Sequence, residues 1–431
     1  MADDTSTSNA AVDPMVGKST AASARPSATG AAAPTAPGDM STDAGRQALL
    51  ERYRPIVRYD SMESYYADWA AVISDHPGNK LLRADGSALA PGPAGDSLAL
   101  ALLKAGEYAP GVAAQNTDYI KIVGSDYDTQ AREMHARPGY GDRVHGRAVQ
   151  DATGTWWLQY WFFMYYDDPG FLGFGRHEGD LEMIQLRLDA QGKPNAASYS
   201  QHRSGVRAAW EQLETAITVD GLVPVTYSAR GSHANLLRTG TSISTRSFVP
   251  DHNDGQGYRV RPDLVLLSAA ATPWALWPGS WGGTHAGGPL GDAGIEANSP
   301  TAPTRHQAWS APAAFHASCD PPSDDLPAPG QPMGLELARP AAPALSVESS
   351  GTSTVVHYAI PPDGTAPAAA KIVASLVSKD PSVPAQTVTA DVTGSTGMVE
   401  LPPAPPGEDY EVRATLHTEN GIGSATQRAD V

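Results

Sequence analysis
The stretch 156–188, WWLQYWFFMYYDDPGFLGFGRHEGDLEMIQLRL, constrains this chain more than any other. Over 156–166 both alternating faces are apolar, and Gln159 is the only strongly polar residue. A strand that hydrophobic needs cover on both sides, which places it centrally in a sheet. It is too short and too aromatic for a membrane-spanning helix. A glycine-rich turn then delivers His177, Glu178, Asp180 and Glu182 within six residues. In the second strand, 178–188, residues two apart share a face. Glu178, Asp180 and Glu182 are therefore expected to point the same way as Ile184, Leu186 and Leu188. His177 has the opposite parity and joins them only if 175–179 is looped. Three carboxylates at the mouth of an apolar face repel one another unless a cation or basic partner joins them. Oxygen donors plus one imidazole suit a hard divalent cation (Ca²⁺, Mg²⁺ or Mn²⁺) better than structural zinc. The plainer alternative is a solvated strand end carrying unrelated acids.

Charge and cysteine content narrow the function classes. At 431 residues, 41% hydrophobic and 18% charged, the chain is long enough for two or three domains. A formal net charge of −17 argues against a nucleic-acid partner, because phosphate contacts need clustered Lys and Arg. It also argues against nonspecific attraction to anionic lipid, while leaving a metal-bridged contact open. Cys319 is the single cysteine, so no internal disulfide framework can form. No apolar run is long enough for a transmembrane segment. Residues 1–40 lack the basic start and apolar core of a signal peptide. The expected location is cytoplasmic, or outside the cell by a route that reads no Sec signal.

Residues 1–42 are Ala, Ser, Thr, Pro and Gly with few large side chains and are expected to be a disordered tail. Next come a short helix over 45–54, a strand over 55–60, a possible helix over 63–73 and an apolar segment at 98–103. Strands are expected at 118–123, 143–149, 197–202, 223–229 and 264–270, the last of them buried. Val206, Trp210, Leu213 and Ile217 recur at helical spacing and predict one amphipathic helix over 206–217. Mostly strands with polar loops indicate a mainly β protein, a β-sandwich with insertions and one or two helices. Residues 321–343 read as a Pro-rich linker. Residues 344–431 read as a separate unit of short alternating strands. Its ending, DYEVRATLHTENGIGSAT, resembles the last hairpin of a fibronectin type III domain, with Tyr410 as the corner tyrosine and Asn420-Gly421 as the turn. That likeness implies a small β-sandwich acting as spacer or adhesive module.

The ordered motifs WLQYWFFMYYDD, HEGDLEMIQLRL, YSQHRSG, VPVTYSARGSHAN, DHNDG, WPGSWGGT and SPTAPTRHQAW resemble the vacuolar protein sorting-associated protein 62 family over most of 45–315. That family's domain has no established biochemical activity. HEGDLE followed by TYSARGSH is also similar to the two signature stretches of necrosis- and ethylene-inducing peptide 1-like toxins. Those are β-sandwich proteins of lectin or actinoporin type that bind a divalent cation and sphingolipid sugar head groups. The resemblance implies cation ligands at His177, Asp180, Glu182 and Asp168, or its neighbour Asp167. Leu181 departs from that family's Trp, and the secretion signal and disulfides are missing, which puts a cytolytic role in doubt more than the fold.

Other residues form a second tier of candidates. Arg230 and His233 suit phosphate or sugar recognition, although Arg230 could simply neutralise the acids. His202, Asp251, His252 and Asp254 read as pocket-lining groups. Ser200 lacks the G-x-S-x-G context of a hydrolase nucleophile. DHNDGQG is not an EF-hand, since Gly255 and Pro262 fall where ligands belong. Trp277 and Trp281 could stack on sugar rings, or plug a core. Three functions follow. The first is a cation-dependent, toxin-like binder of a glycan or lipid head group. The second is a metal-dependent hydrolase of phosphoester or glycosidic bonds, with Glu178 or His233 as general base. The third is a sorting or scaffold role.

Overall fold
The computed structural model describes residues 40–90, 98–124, 126–168, 175–242, 250–268, 272–283, 299–322, 326–333, 340–362, 368–378, 386–406, 409–418, 424 and 427–431. Most of the tail and the Asn420-Gly421 turn lie outside them.

The protein is mainly β. Its largest sheet has six strands in the order Ser204–Ala209, Pro194–Gln201, His177–Leu188, Trp156–Asp167, Arg143–Gln150 and Asp263–Leu266. The aromatic strand is central, as its two apolar faces require. It is buried from Trp157 to Asp167 and pairs antiparallel with both neighbours. A second sheet joins Thr215–Thr218, Gly221–Ser228, Ile56–Tyr59 and Arg259–Val260, with Asn235–Leu236 alongside Gly221–Ser228. Ile56–Tyr59 runs parallel to Gly221–Ser228. Val57 and Tyr59 from this sheet meet Tyr160, Ile184, Leu186 and Tyr199 of the larger sheet in one buried cluster, as a sandwich demands.

Trp274, Trp277 and Trp281 seal that core from one end. Trp281 meets Phe163, Trp274 and Trp277 edge-on at centroid distances of 5.0, 5.6 and 5.7 Å. These aromatics are among the largest contributors of buried area. They are plugs, and Trp277 and Trp281 offer no exposed face to a sugar.

Several expectations are corrected. Residues 206–217 form no helix. A tight turn at His202 (φ +56°) folds Ser204–Ala209 back on Pro194–Gln201, followed by a single 3-10 turn and the strand Thr215–Thr218. Ile217 is 87% exposed, so the helical spacing marked no common face. Over 63–73 only Ala71–Ser74 is helical. Before it, the chain is tied to the central strand, since Asp68 N–H donates to Phe163 O at 2.9 Å. The strand Asp263–Leu266 lies at a sheet edge and is partly exposed rather than buried. The helix Tyr127–His135, capped by Asp126, was not expected.

Residues 344–430 build a three-stranded sheet (Ala344–Ser349, Thr354–Ala359, Thr396–Leu401) and a four-stranded sheet (Gln386–Asp391, Lys371–Ser378, Tyr410–His417, Gln427–Asp430). Tyr410 is buried in their common core. Part of the Pro-rich segment before this module is stitched to the first body. Arg238 Nε donates to Pro327 O at 3.0 Å, and Gly330 N–H donates to Glu214 at 3.0 Å. Among the described residues, no helix is long and apolar enough to cross a membrane.

Candidate metal centre
The site lies where the central strand ends and its neighbour begins, with Asp167 opposite His177 in the register. Gly179 decides the geometry. Its φ of +66° interrupts the two-residue alternation. His177 and Asp180 consequently share a side, while Glu178 turns the opposite way. A Cβ on Gly179 would lie 2.8 Å from Trp281 O, and one on Gly282 would lie 2.3 Å from Glu178 Cβ. The WGG run thus packs directly against EGD, and both glycines are there because backbone meets backbone.

Ligand atoms of Asp167, His177 and Asp180 lie within 4.8 Å of one another. His177 Nδ1 is 2.6 Å from Gly179 O, and a carbonyl only accepts, so Nδ1 carries the proton. Burial lowers the His177 pKa despite nearby Asp180, which keeps the ring neutral. Its Nε2 lone pair then faces Asp167 Oδ2 at 3.4 Å. Asp167 Oδ1 is buried with no hydrogen-bond partner. Burial first, and the Asp180 charge second, push the Asp167 pKa well above the carboxylate range.

Asp180 behaves in the opposite way. Burial would raise it, but the His233 hydrogen bond and charge win and hold its pKa below the usual value. His233 Nδ1 donates to Asp180 Oδ2 at 2.8 Å, and its Nε2 lies 3.6 Å from Glu63 Oε1. Despite burial, Glu63 and Asp180 raise the His233 pKa well above 6.5, so it is an imidazolium. Glu63 accepts from the N–H groups of Ser64 and Tyr65, both at 2.8 Å, and of Gly231 at 2.7 Å. Glu182 sits beside this group. Its carboxyl takes the Ser200 hydroxyl and, at 3.1 Å, the His202 N–H. Burial, then Asp180, push it to about 8.

His202 Nε2 lies 3.1 Å from both oxygens of Asp251, which also accepts from Ser232 Oγ at 2.6 Å. Burial would lower the His202 pKa, yet the Asp251 charge and hydrogen bond carry it to about 10. Among the described residues only Asp142, His202 and His233 adopt positive φ without being glycine. Two of these three border the site, where such backbone strain tends to collect.

Not every expected residue converges. Asp168 is displaced from the cluster, because its Oδ1 is held by Arg176 Nε at 2.9 Å, and Asp167 takes the position instead. Glu178 is fully buried and accepts from Lys121 Nζ (2.5 Å), Tyr127 OH (3.2 Å), Ile122 N (3.0 Å) and Gly283 N (2.7 Å). No oxygen is left for general-base work. His233, as a buried imidazolium, is likewise unsuited to accept a proton. His252 contacts Thr241 Oγ1 at 2.8 Å, and Asp254 is bound by Ser61 N–H at 2.9 Å. Both side chains are occupied with neighbouring loops rather than the acids. The Arg230 N–H donates to His252 O at 2.8 Å. Glu63, which sequence reasoning missed, left one signal: an acid embedded in the aromatic run MESYYADW.

No family model matches this chain, and no curated protein matches it. Solved structures with some likeness include NLPPya in complex with mannosamine, at 17% identity, covering 55% of this chain and 79% of that one, with a TM-score of 0.24. Another is a structure described as a toxin fold as basis for microbial attack and plant defense, at 15% identity, 55% and 80% coverage, with a TM-score of 0.25. A fibronectin type III domain of human collagen XX matches at 15% identity, covering 23% of this chain and 98% of that one, with a TM-score of 0.17. Scores this low carry no argument; the architecture rests on the sheets themselves.

Proposed function
We propose that this is a toxin-like binding protein that uses a divalent cation at Asp167, His177 and Asp180 to take a sugar or lipid head group. One observation carries the reading. The unpartnered Asp167 oxygen and the His177 lone pair converge beside a second carboxylate, an arrangement that is unfavourable until a positive charge joins it. Two carboxylates and an imidazole suit Ca²⁺, Mg²⁺ or Mn²⁺. When bound, such a cation supplies a Lewis-acidic contact for ligand hydroxyl or phosphate oxygens.

The chain's own residues do the rest. Gly179 O fixes the tautomer and tilt of His177, while Glu63 and His233 fix Asp180. Part-exposed His202 offers a cationic donor to an anionic head group. Glu182 completes the acidic wall. The ligand class rests on the motif resemblance to necrosis- and ethylene-inducing peptide 1-like toxins. The vacuolar-sorting-62 likeness belongs to the same reading, as does the division into 43–320, a linker at 321–343 and 344–431. A hydrolase is less well supported, because Glu178 and His233 are both occupied.

The test is a calorimetric titration of Ca²⁺, Mg²⁺ and Mn²⁺ into chelator-treated protein, with Asp180→Asn alongside. Saturable binding that the variant lacks is the expected result. If no ion binds, the reading fails and a sorting or scaffold role takes its place. Glycan arrays and sphingolipid liposomes with the bound ion then identify the head group. Turnover of a phosphoester would favour the hydrolase.

A further inference from the structure
The C-terminal module touches the first body at the start of the helix Tyr127–His135. Arg413 Nη2 lies 2.9 Å from Asp126 Oδ2, and Arg428 Nη2 lies 3.4 Å from Asp128 Oδ2. Within the module, Glu411 Oε1 accepts from Arg413 Nε at 2.5 Å and lies 3.5 Å from Arg428 Nη1. One carboxylate thus gathers both guanidinium groups into a fork aimed at two acids of another unit. The Arg413 side chain is only 15% exposed, against 37% for Arg428. The stronger of the two pairs is therefore also the more shielded.

Those two acids are not passive. Asp126 caps the helix through Thr129 N–H at 3.2 Å, where a carboxylate is favoured. The next residue, Tyr127, stacks on Tyr166 with centroids 3.9 Å apart and planes 7° from parallel. Tyr166 directly precedes Asp167. Asp128 accepts from Tyr65 OH at 2.5 Å. The Tyr65 ring lies 5.7 Å from Tyr166 and 6.3 Å from His233, and its backbone N–H holds Glu63. Asp128 thus leads through its bond to Tyr65 toward His233, and Asp126 adjoins Tyr127, whose ring stacks on Tyr166, the neighbour of Asp167.

We infer that the acidic start of this helix is a docking surface for the chain's own C-terminal module, and that Arg413 and Arg428 are positioning residues for the site. The module is then a structural part of the binding apparatus and not a spacer. The positioning claim rests on the cation reading above, whereas the docking claim does not.

The experiment uses the full chain with Arg413→Glu/Arg428→Glu, the conservative Arg413→Lys/Arg428→Lys, and Lys371→Glu as a control on the module's own surface pair with Asp391. Hydrogen exchange over 63–68 and 127–135, small-angle scattering and Ca²⁺ calorimetry are measured on each. Charge reversal should expand the particle and speed exchange in both segments about tenfold, as expected when two ion pairs are lost together. It should also weaken Ca²⁺ binding by about tenfold, the low end for groups behind a metal ligand. The lysine pair should retain most of the affinity, and the control should change nothing. Unchanged scattering and exchange would overturn the docking claim. An expanded particle with unaltered Ca²⁺ affinity would overturn the positioning claim. If the unmodified chain binds no ion, the cation reading has failed, and exchange and scattering still decide the docking.

Discussion

Asp167→Asn is the most informative perturbation, because it should make the protein more stable and less functional at once. The Asp167 and Asp180 ligand atoms lie within 4.8 Å of each other. Two like charges at that distance, at an effective dielectric of about 20, repel by roughly 3.5 kcal/mol. His233 keeps Asp180 ionised, so Asp167 yields and holds a proton until the pH is well above the usual carboxylate range. The sign follows from linkage. A carboxyl whose folded pKa is raised binds more protons folded than unfolded between the two values, so stability falls as pH rises through that window. An amide removes this slope, and its N–H can donate to the bare His177 Nε2. In chelator at pH 8 the variant should gain up to about 3 kcal/mol, or roughly 6 °C at about 2 °C per kcal/mol for a large domain. At pH 5, about one unit above the unfolded carboxyl pKa, the gain should shrink to about 1.4 kcal/mol, and it should vanish only near pH 4, where Asp167 is neutral in both states. Added Ca²⁺ should stabilise the unmodified protein and leave the variant unmoved. Thermal unfolding from pH 4 to 9, with and without Ca²⁺, reads all of this. A variant less stable than the parent at pH 8 in chelator would refute the reasoning, since the carboxylate would then have a partner that favours its charge.

Three further outcomes follow from the same geometry. Asp180→Asn leaves the His233 imidazolium and Glu63 without their third member, and should cost about 3–5 kcal/mol in denaturant unfolding as well as abolish cation binding. Glu178→Gln should destabilise the fold by a few kcal/mol through the lost Lys121 contact, yet leave ion affinity within a few-fold by calorimetry; a complete loss of binding would return Glu178 to the site. Gly179→Ala should cost about 1–3 kcal/mol for the left-handed backbone alone, plus the clash with Trp281 O, and should lower cation affinity by more than tenfold because His177 and Asp180 part company.

The sequence by itself determined the central strand. Uninterrupted apolar character over 156–166 has one stable solution, a strand buried on both faces beside a partner that carries the acids. The same reading brought out His177 and Asp180, because their spacing is local, while Glu182, expected beside them as a ligand, is held by Ser200 and His202. It also noted that His177 joins the acids only if the backbone loops, which the positive φ of Gly179 supplies. What it could not reach depends on contacts between distant segments. Strict alternation put Glu178 with Asp180, whereas Gly179, pressed against Trp281 O, sends it to Lys121 and Gly283. Asp167 and Asp168 are indistinguishable in one dimension, and only Arg176 takes the second away from the cluster. Glu63 enters through Gly231, 168 positions along the chain. Helical spacing over 206–217 lost to a ladder with Pro194–Gln201, since periodicity cannot weigh hydrogen bonds to another strand. The chemistry of the centre is written in short motifs, but which oxygen is left without a partner is decided by how those motifs pack.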